Sequence, residues 1–285
     1  MATTTTPSKY ANFDQKDFVY KKVNNTPIST TVLIPKTLTT ASTAGTPQPD
    51  KPQNKKKHHP ILVHLHGGFL ICGSKLYQEW HSTWTIQLAL LNAAIIVTPN
   101  YRLLPEANGT DVLCDLCDFW SWVQECLATA VASMTTTTTT ETIQIDMNSI
   151  LVCGESAGGY LAIQSALLLP NMRFKAILSQ YGMLDHKLAH FTQKSTTKYL
   201  AGAPQQPESE IENYLLDMQK GAVRTETHPW EMWLFICATV QAGRYLEFLG
   251  DGENVHVIEN LEKIKGAKLP ACWIIHGKED SLVSC

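Results

Sequence analysis

No apolar run in this chain reaches the roughly 18 residues that a membrane-spanning helix needs. The opening stretch "MATTTTPSKYANFDQKDF" also lacks the cationic-then-apolar layout of a secretory leader. Neither sign of charge is in excess: 23 Lys and Arg stand against 26 Asp and Glu, a net charge of −3. That balance asks for neither nucleic acid nor an anionic membrane, so a small or neutral partner is expected. Together these absences predict a cytoplasmic protein. A peroxisomal address would require a longer natural C-terminus, because the terminal "VSC" is not such a signal.

Cysteine is also sparse, with eight in 285 residues, too few for a disulfide scaffold. Cys72, Cys153, Cys237 and Cys272 lie in apolar stretches, and most are expected to be reduced core residues. The pair Cys114 and Cys117 in "CDLC" has the spacing of half a zinc or redox site, yet no second CxxC or HxxxH completes it. The pair sits in "TDVLCDLCDFWSWVQECL", where apolar residues recur at helical spacing. Both thiols therefore share one helix face, and core packing is expected of them in preference to metal. Neither a metal nor an organic cofactor is expected, and oligomeric state is not readable.

What is present is an organised α/β pattern. Residues 1–59 read as an N-terminal segment containing the Thr-, Pro- and Lys-rich stretch "TLTTASTAGTPQPDKPQNKKK", which has too little apolar area to order itself. From Pro60 onward short apolar runs alternate with helical stretches. "ILVHLH", "AAIIVTPNY", "SILVCG", "FKAILSQYG" and "ACWIIHG" read as strands; "EWHSTWTIQLALLN", "DVLCDLCDFWSWVQECLA" and "AGGYLAIQSALLL" read as helices. The alternation predicts a mostly parallel sheet with helices on both faces, one domain over residues 60–285. The tract Thr135 to Thr142 reads as an expanded surface loop. A further segment, about 185–260, reads as a helical insertion capping the pocket. Its stretch "HPWEMWLFICATVQAGRYLEFLG" is dense enough in Trp, Phe, Tyr and Leu either to pack on the sheet or to line an apolar pocket.

Two glycine motifs carry the chemistry. "GESAGG" follows an apolar strand and precedes a helix, the setting in which a G-x-S-x-G turn exposes its serine, here Ser156, at the carboxyl edge of a sheet. The next amide, that of Ala157, lies at a helix N-terminus, where negative charge is favoured. "HLHGG" follows the first core strand, and the N–H groups of Gly67 and Gly68 can aim at an oxyanion from there. Both motifs fall on the same sheet edge, where α/β folds place their sites.

With "YRLLPE" (Tyr101 to Glu106), the trailing Asp115 and "HGKEDSLV" (His276 to Val283), these motifs resemble the hormone-sensitive-lipase-like group of the α/β-hydrolases, the α/β-hydrolase fold-3 family. The resemblance covers about Pro60 to the end. It implies an α/β-hydrolase fold and a serine hydrolase of carboxylic esters of small or hydrophobic metabolites. Ser156 would be the nucleophile, Asp280 the triad acid, and Gly67, Gly68 and Ala157 the oxyanion hole. Arg102 and Glu106 would fix a loop by ion pairing, and His66 would orient the glycine loop without acting as base. Phe69 stands where many relatives have a third glycine, which implies a narrower oxyanion loop and a small acyl group.

The family's base is a histidine after the acid, in the order Ser, Asp, His. Only "SLVSC" follows Asp280, so the expectation is a chain that stops before that histidine, with the last strand and helix of the fold missing. His276 matches a turn position, and His186, His190, His228 and His256 are in or near the insertion, where nothing in the sequence positions them. Two alternatives accompany the esterase reading: a ligand-binding homologue without catalysis, as in the plant gibberellin receptors, and a lyase or dehydratase on the same fold.

Overall fold

The alternating runs fold in the order in which they are written. A computed structural model describes residues 8–39, 58–135, 143–264 and 269–283. Seven strands form one sheet: β1 (Phe13–Val23), β2 (Thr26–Pro35), β3 (His58–Leu65), β4 (Ile95–Pro99), β5 (Gln144–Glu155), β6 (Phe174–Gln180) and β7 (Ala271–Ile275). Their spatial order is β1-β2-β4-β3-β5-β6-β7. The five strands from β4 to β7 in that order run parallel, whereas β2 is antiparallel to β4 and β1 antiparallel to β2. The helices are α1 (Lys36–Thr39), α2 (Thr83–Leu91), α3 (Gly109–Ala132), α4 (Ala157–Leu168), α5 (Ala189–Thr192), α6 (Ser209–Asp217), α7 (Trp233–Gln241), α8 (Tyr245–Leu249) and α9 (Val257–Lys263).

Strand pleating divides the core. Ile61, Val63 and Leu65 of β3 point to one side and pack with Phe119 and Trp120 of α3 and Leu161 of α4. Leu62 points to the other side and packs with Ile86 and Ala89 of α2. Helices therefore lie on both faces, as the sequence predicts. Full burial of each such aliphatic side chain contributes about 1.5–3 kcal/mol, so this double-sided packing is what holds the central strands. At the β7 edge the packing is thinner. Trp273 is 61 % exposed and contacts only the ring of Trp84, 6.1 Å away, among the described aromatic residues.

Two sequence expectations are corrected. Residues 1–59 are not merely a segment ahead of the domain, because β1 and β2 are strands of its sheet. They are joined at Asn24 and Asn25, both with φ in the left-handed region (48° and 66°), which is what a two-residue hairpin turn requires and what asparagine tolerates. The hairpin is weakly signalled in sequence because every residue of β1 but Phe13 is exposed or half-exposed and the strand carries Lys16, Asp17, Lys21 and Lys22. The stretch from Thr40 to Lys57 and most of the threonine tract lie outside the described residues. The second correction concerns cysteine: Cys72, Cys153 and Cys237 are buried, but Cys114 and Cys272 are exposed and Cys117 is half-buried. The α3 face that enters the core is carried by Val112, Leu116, Phe119 and Trp120, which rotates the cysteine pair outward.

The "YRLLPE" segment is anchored by charge. Asp115, fully buried, accepts hydrogen bonds from Arg102 N, Nε (2.9 Å) and Nη2 (2.9 Å), and pairs with Lys21 Nζ at 2.7 Å. Glu106 pairs instead with Arg224 (2.7 Å), which also donates to Ile71 O (2.5 Å) and Leu104 O. An arginine from the segment after β6 thus ties the "YRLLPE" loop to the glycine loop.

Candidate active site

Ser156 sits between the last residue of β5 and the first of α4, with φ 54° and ψ −116°. A left-handed serine here is the strained turn that sequence reasoning expects, and strain of this kind gathers at functional sites. Glycine is required on both sides of the turn by close approach. A Cβ at Gly154 would meet Gly158 O at 2.3 Å, and one at Gly158 would meet Leu65 O at 1.9 Å. The nucleophile's own peptide is braced by β6 and the loop after it: Ser156 N–H donates to Gln180 O (2.9 Å), and Ser156 O accepts from Met183 N–H (3.2 Å).

Ser156 opens into a cavity of about 370 Å³, whose wall also includes Gly67, Gly68 and Asp280. Gly68 has φ 106° and could not carry a side chain, since its Cβ would stand 2.2 Å from Cys72 O. Its carbonyl accepts from Ile71 and Cys72 N–H, turning that oxygen away into the loop. Among the described residues, no backbone hydrogen bond is donated by Gly67, Gly68 or Ala157 N–H. Ala157 heads the 12-residue helix α4, so its amide adds the positive end of a helix dipole. Three uncommitted donors on one edge can stabilise an oxyanion.

His66 holds this loop from behind. Its Nδ1 lies 2.8 Å from Gly67 O, its ring stacks on Tyr101 at 4.3 Å, and Tyr101 OH donates to His66 O at 2.7 Å. Burial pushes His66 down to about 3, so it is neutral, and it is not a residue of the cavity wall. Phe69, also left-handed at φ 58°, lines the cavity, and its carbonyl accepts from Tyr245 OH (2.7 Å).

Asp280 shares the cavity with Ser156. Its Oδ1 accepts from Leu282 and Val283 N–H at 2.8 and 3.0 Å, and its Oδ2 is 3.5 Å from His276 Nε2. That histidine is engaged elsewhere, with Nε2 at 2.8 Å from Val283 O. None of the described cavity-lining residues is a histidine. His190 bonds Leu282 O, His256 pairs with Asp251, and His228 packs on Tyr77. His186 is buried against Tyr160, where burial pushes it down to about 3. The structure thus brings Ser156, Gly67, Gly68 and Asp280 to one cavity, with Ala157 adjoining, and brings no described histidine to it.

Sequence reasoning missed a polar layer beneath the serine. Glu155, the variable residue of the serine motif, is buried and lines the cavity, its Oε2 2.8 Å from His64 Nε2 and its Oε1 accepting from Gln180 Nε2. His64 stacks on His81 at 3.7 Å, and His81 Nδ1 bonds Tyr10 OH. The alternation in "HLH" was the available signal, since it puts His64 and His66 on one side of the chain. The cavity's apolar wall comes from Phe69, Trp80, Pro229, Trp233, Ile236 and Leu282. Three of these (Pro229, Trp233 and Ile236) belong to the segment between β6 and β7, so the aromatic-rich stretch packs and lines the pocket at once.

The sequence profile of a family described as alpha/beta hydrolase fold matches residues 62–241. The chain is 33% identical over 279 residues to "Probable carboxylesterase M8" of Phoma sp., an alignment covering 97% of this chain and 81% of that protein. It is 36% identical over 196 residues to "Probable carboxylesterase clz11" of Cochliobolus lunatus, covering 68% of this chain and 87% of the relative. Among solved structures it resembles a hyperthermophilic esterase from Pyrobaculum calidifontis, with TM-score 0.54 and 18% identity over 96% of this chain and 69% of that one. A Staphylococcus aureus protein of unknown function superimposes with TM-score 0.60 and 15% identity, over 95% of this chain and 81% of that one.

Proposed function

We propose, for a chain that belongs to the alpha/beta hydrolase fold family, that it is a carboxylic ester hydrolase acting through an acyl-enzyme on Ser156. The observation that carries this reading is the convergence of a strained serine, two loop glycines and the Asp280 carboxylate on a single cavity. Similarity to two fungal proteins named as carboxylesterases supports the same chemistry.

Ser156 Oγ attacks the ester carbonyl carbon and the C=O π bond opens onto oxygen. The N–H groups of Gly67, Gly68 and Ala157 hold the resulting oxyanion, and its collapse expels the alcohol and leaves the acyl group on Ser156. Water then attacks the acyl-enzyme through a second oxyanion held by the same three donors, releasing the acid. None of the described residues of the wall is a histidine, so the serine proton passes to an acceptor from solution such as imidazole and from there to the oxygen of the leaving alcohol. The same acceptor takes the proton of the attacking water in the second step, and Asp280 is the wall carboxylate that steadies its positive charge. The wall of the cavity is mostly apolar and its volume is near the lower end of small-molecule pockets, which suits an ester of a small or hydrophobic metabolite.

The test is labelling by a fluorophosphonate, followed with and without added imidazole as a soluble proton acceptor. Labelling should be faster with imidazole and absent in Ser156→Ala. Equal labelling of the wild type and that variant overturns the assignment. A folded wild type that stays unlabelled even with imidazole favours a ligand-binding protein over an enzyme.

A further inference from the structure

Beyond the reacting groups, the cavity wall contains a residue whose placement is tied to the nucleophile itself. Tyr181 is a bulky aromatic residue with φ 40°, in the left-handed region that L residues with large side chains avoid. Its backbone N–H donates to Ile275 O at 2.6 Å. The residue before it accepts the Ser156 N–H, and Met183, two residues after it, donates to Ser156 O. Gly182 between them has no room for a side chain, since a Cβ would meet Ser179 Oγ at 2.3 Å. Residues on both sides of Tyr181 are thereby tied to the peptide that carries the nucleophile, and Tyr181 itself lines the cavity. Strain maintained by the surroundings at a cavity wall points to a function for the side chain.

The inventory of side-chain oxygens in that wall indicates which function. Both oxygens of Glu155 are bonded, to His64 and to Gln180. Asp280 Oδ1 accepts two backbone N–H groups, and Oδ2 faces His276. Apart from Ser156, Tyr181 carries the one hydroxyl among the described wall residues; the residue is 39 % exposed and its hydroxyl is not engaged by another described side chain. Burial, with Glu155 and Asp280 adding to it, pushes this phenol up to about 12, so it keeps its proton and acts as a neutral donor. The described wall contains two carboxylates and no Lys, Arg or His, which disfavours anionic substrates.

We propose that Tyr181 is a specificity-determining residue that donates a hydrogen bond to a second acceptor of a neutral ester, one placed within a few bonds of the scissile carbonyl, as in a 3-oxo ester. The proposal rests on the reading of Ser156 as the nucleophile only for where the scissile carbonyl sits. The closing experiment measures binding, so it separates from that reading.

The experiment uses the Ser156→Ala chain and titration calorimetry with a matched pair, ethyl 3-oxo-3-phenylpropanoate and ethyl 3-phenylpropanoate, which differ by one keto oxygen. The 3-oxo ester should bind tighter by about 3–10-fold, the range of one neutral hydrogen bond. Adding Tyr181→Phe should bring the ratio of the two dissociation constants to about one. A purely structural role would weaken both ligands in proportion and keep the ratio, and that result overturns the proposal. So does an absence of preference with Tyr181 in place, which needs no folded Phe variant. Absence of fluorophosphonate labelling of the wild type even with imidazole, together with the expected ratio, would sink the esterase reading and leave this one standing.

Discussion

Gly158→Ala sets two physical effects of opposite sign against each other. Gly158 is the second residue of α4, and helix propensity alone favours alanine over glycine by about 1 kcal/mol. Packing says the reverse: the added Cβ would stand 1.9 Å from Leu65 O, 2.6 Å from Leu65 C and 2.8 Å from His66 O, where ordinary contact begins at 3.4 Å. All three atoms are backbone, so no rotamer relieves the clash, and α4 must separate from the end of β3. Overpacking of flexible cores costs about 1–3 kcal/mol, and a rigid obstacle puts this case at the upper end, about 3 kcal/mol. With about 2–4 °C per kcal/mol for a domain of this size, the melting temperature should fall by roughly 4–8 °C after the propensity gain is subtracted. Because the strand end leads into Gly67 and Gly68, the same separation moves the oxyanion donors, and a displacement near 1 Å can lower the rate of Ser156 labelling by about 10²-fold. Thermal unfolding followed by circular dichroism is the assay, with Gly277→Ala as control, since a Cβ there meets nothing within 4 Å. A Gly158→Ala chain that melts at or above the wild-type temperature would refute the packing argument.

Further predictions concern the buried charges and histidines. Asp115→Asn keeps the side-chain shape but leaves Arg102 and Lys21 facing a neutral group; urea unfolding should show a loss of about 3 kcal/mol, the cost of breaking a buried pair, and a loss below about 0.5 kcal/mol would refute it. His66 and His186 are both held down to about 3 by burial, while the unfolded chain titrates near 6.5. Stability should thus be complete above pH 6.5 and decline below it toward pH 3, by up to about 1.4 kcal/mol per pH unit for each histidine. His186→Phe should remove one such share of the slope between pH 6 and 4. Because both ring nitrogens of His186 lack partners, the same change should raise stability at pH 7 by about 1 kcal/mol; an unaltered pH slope in that variant would contradict a buried neutral His186.

Much of the fold was legible where local pattern suffices. Each strand and helix read from the sequence after Pro60 is present, because apolar runs and helical periods are properties of neighbouring residues. The serine turn and glycine loop were legible for the same reason: Gly154, Gly158 and Gly68 stand where backbone comes too close for a side chain. The β1–β2 hairpin was not, since its outer strand is half-exposed and charged and gains its strand pairing only from β2. The outward rotation of Cys114 and Cys117 was missed because a helical period tells which residues share a face but not which face meets the sheet.

The sequence by itself determined the order of elements and the strand-turn-helix around Ser156, consequences of contacts a few residues apart, and the rule that α/β sheets place their sites at the carboxyl ends of parallel strands put Gly67, Gly68 and Ala157 on the same edge. Only the tertiary structure decided what surrounds that edge. It pairs Glu106 with Arg224, 118 residues away, pairs His64 with Glu155 across 91 residues, and braces Gln180 and Met183 against the peptide of Ser156. It also leaves every described histidine out of the cavity lining. The physical reason is that hydrogen bonds and ion pairs between distant segments depend on strand order and register, which side-chain periodicity along one segment does not encode.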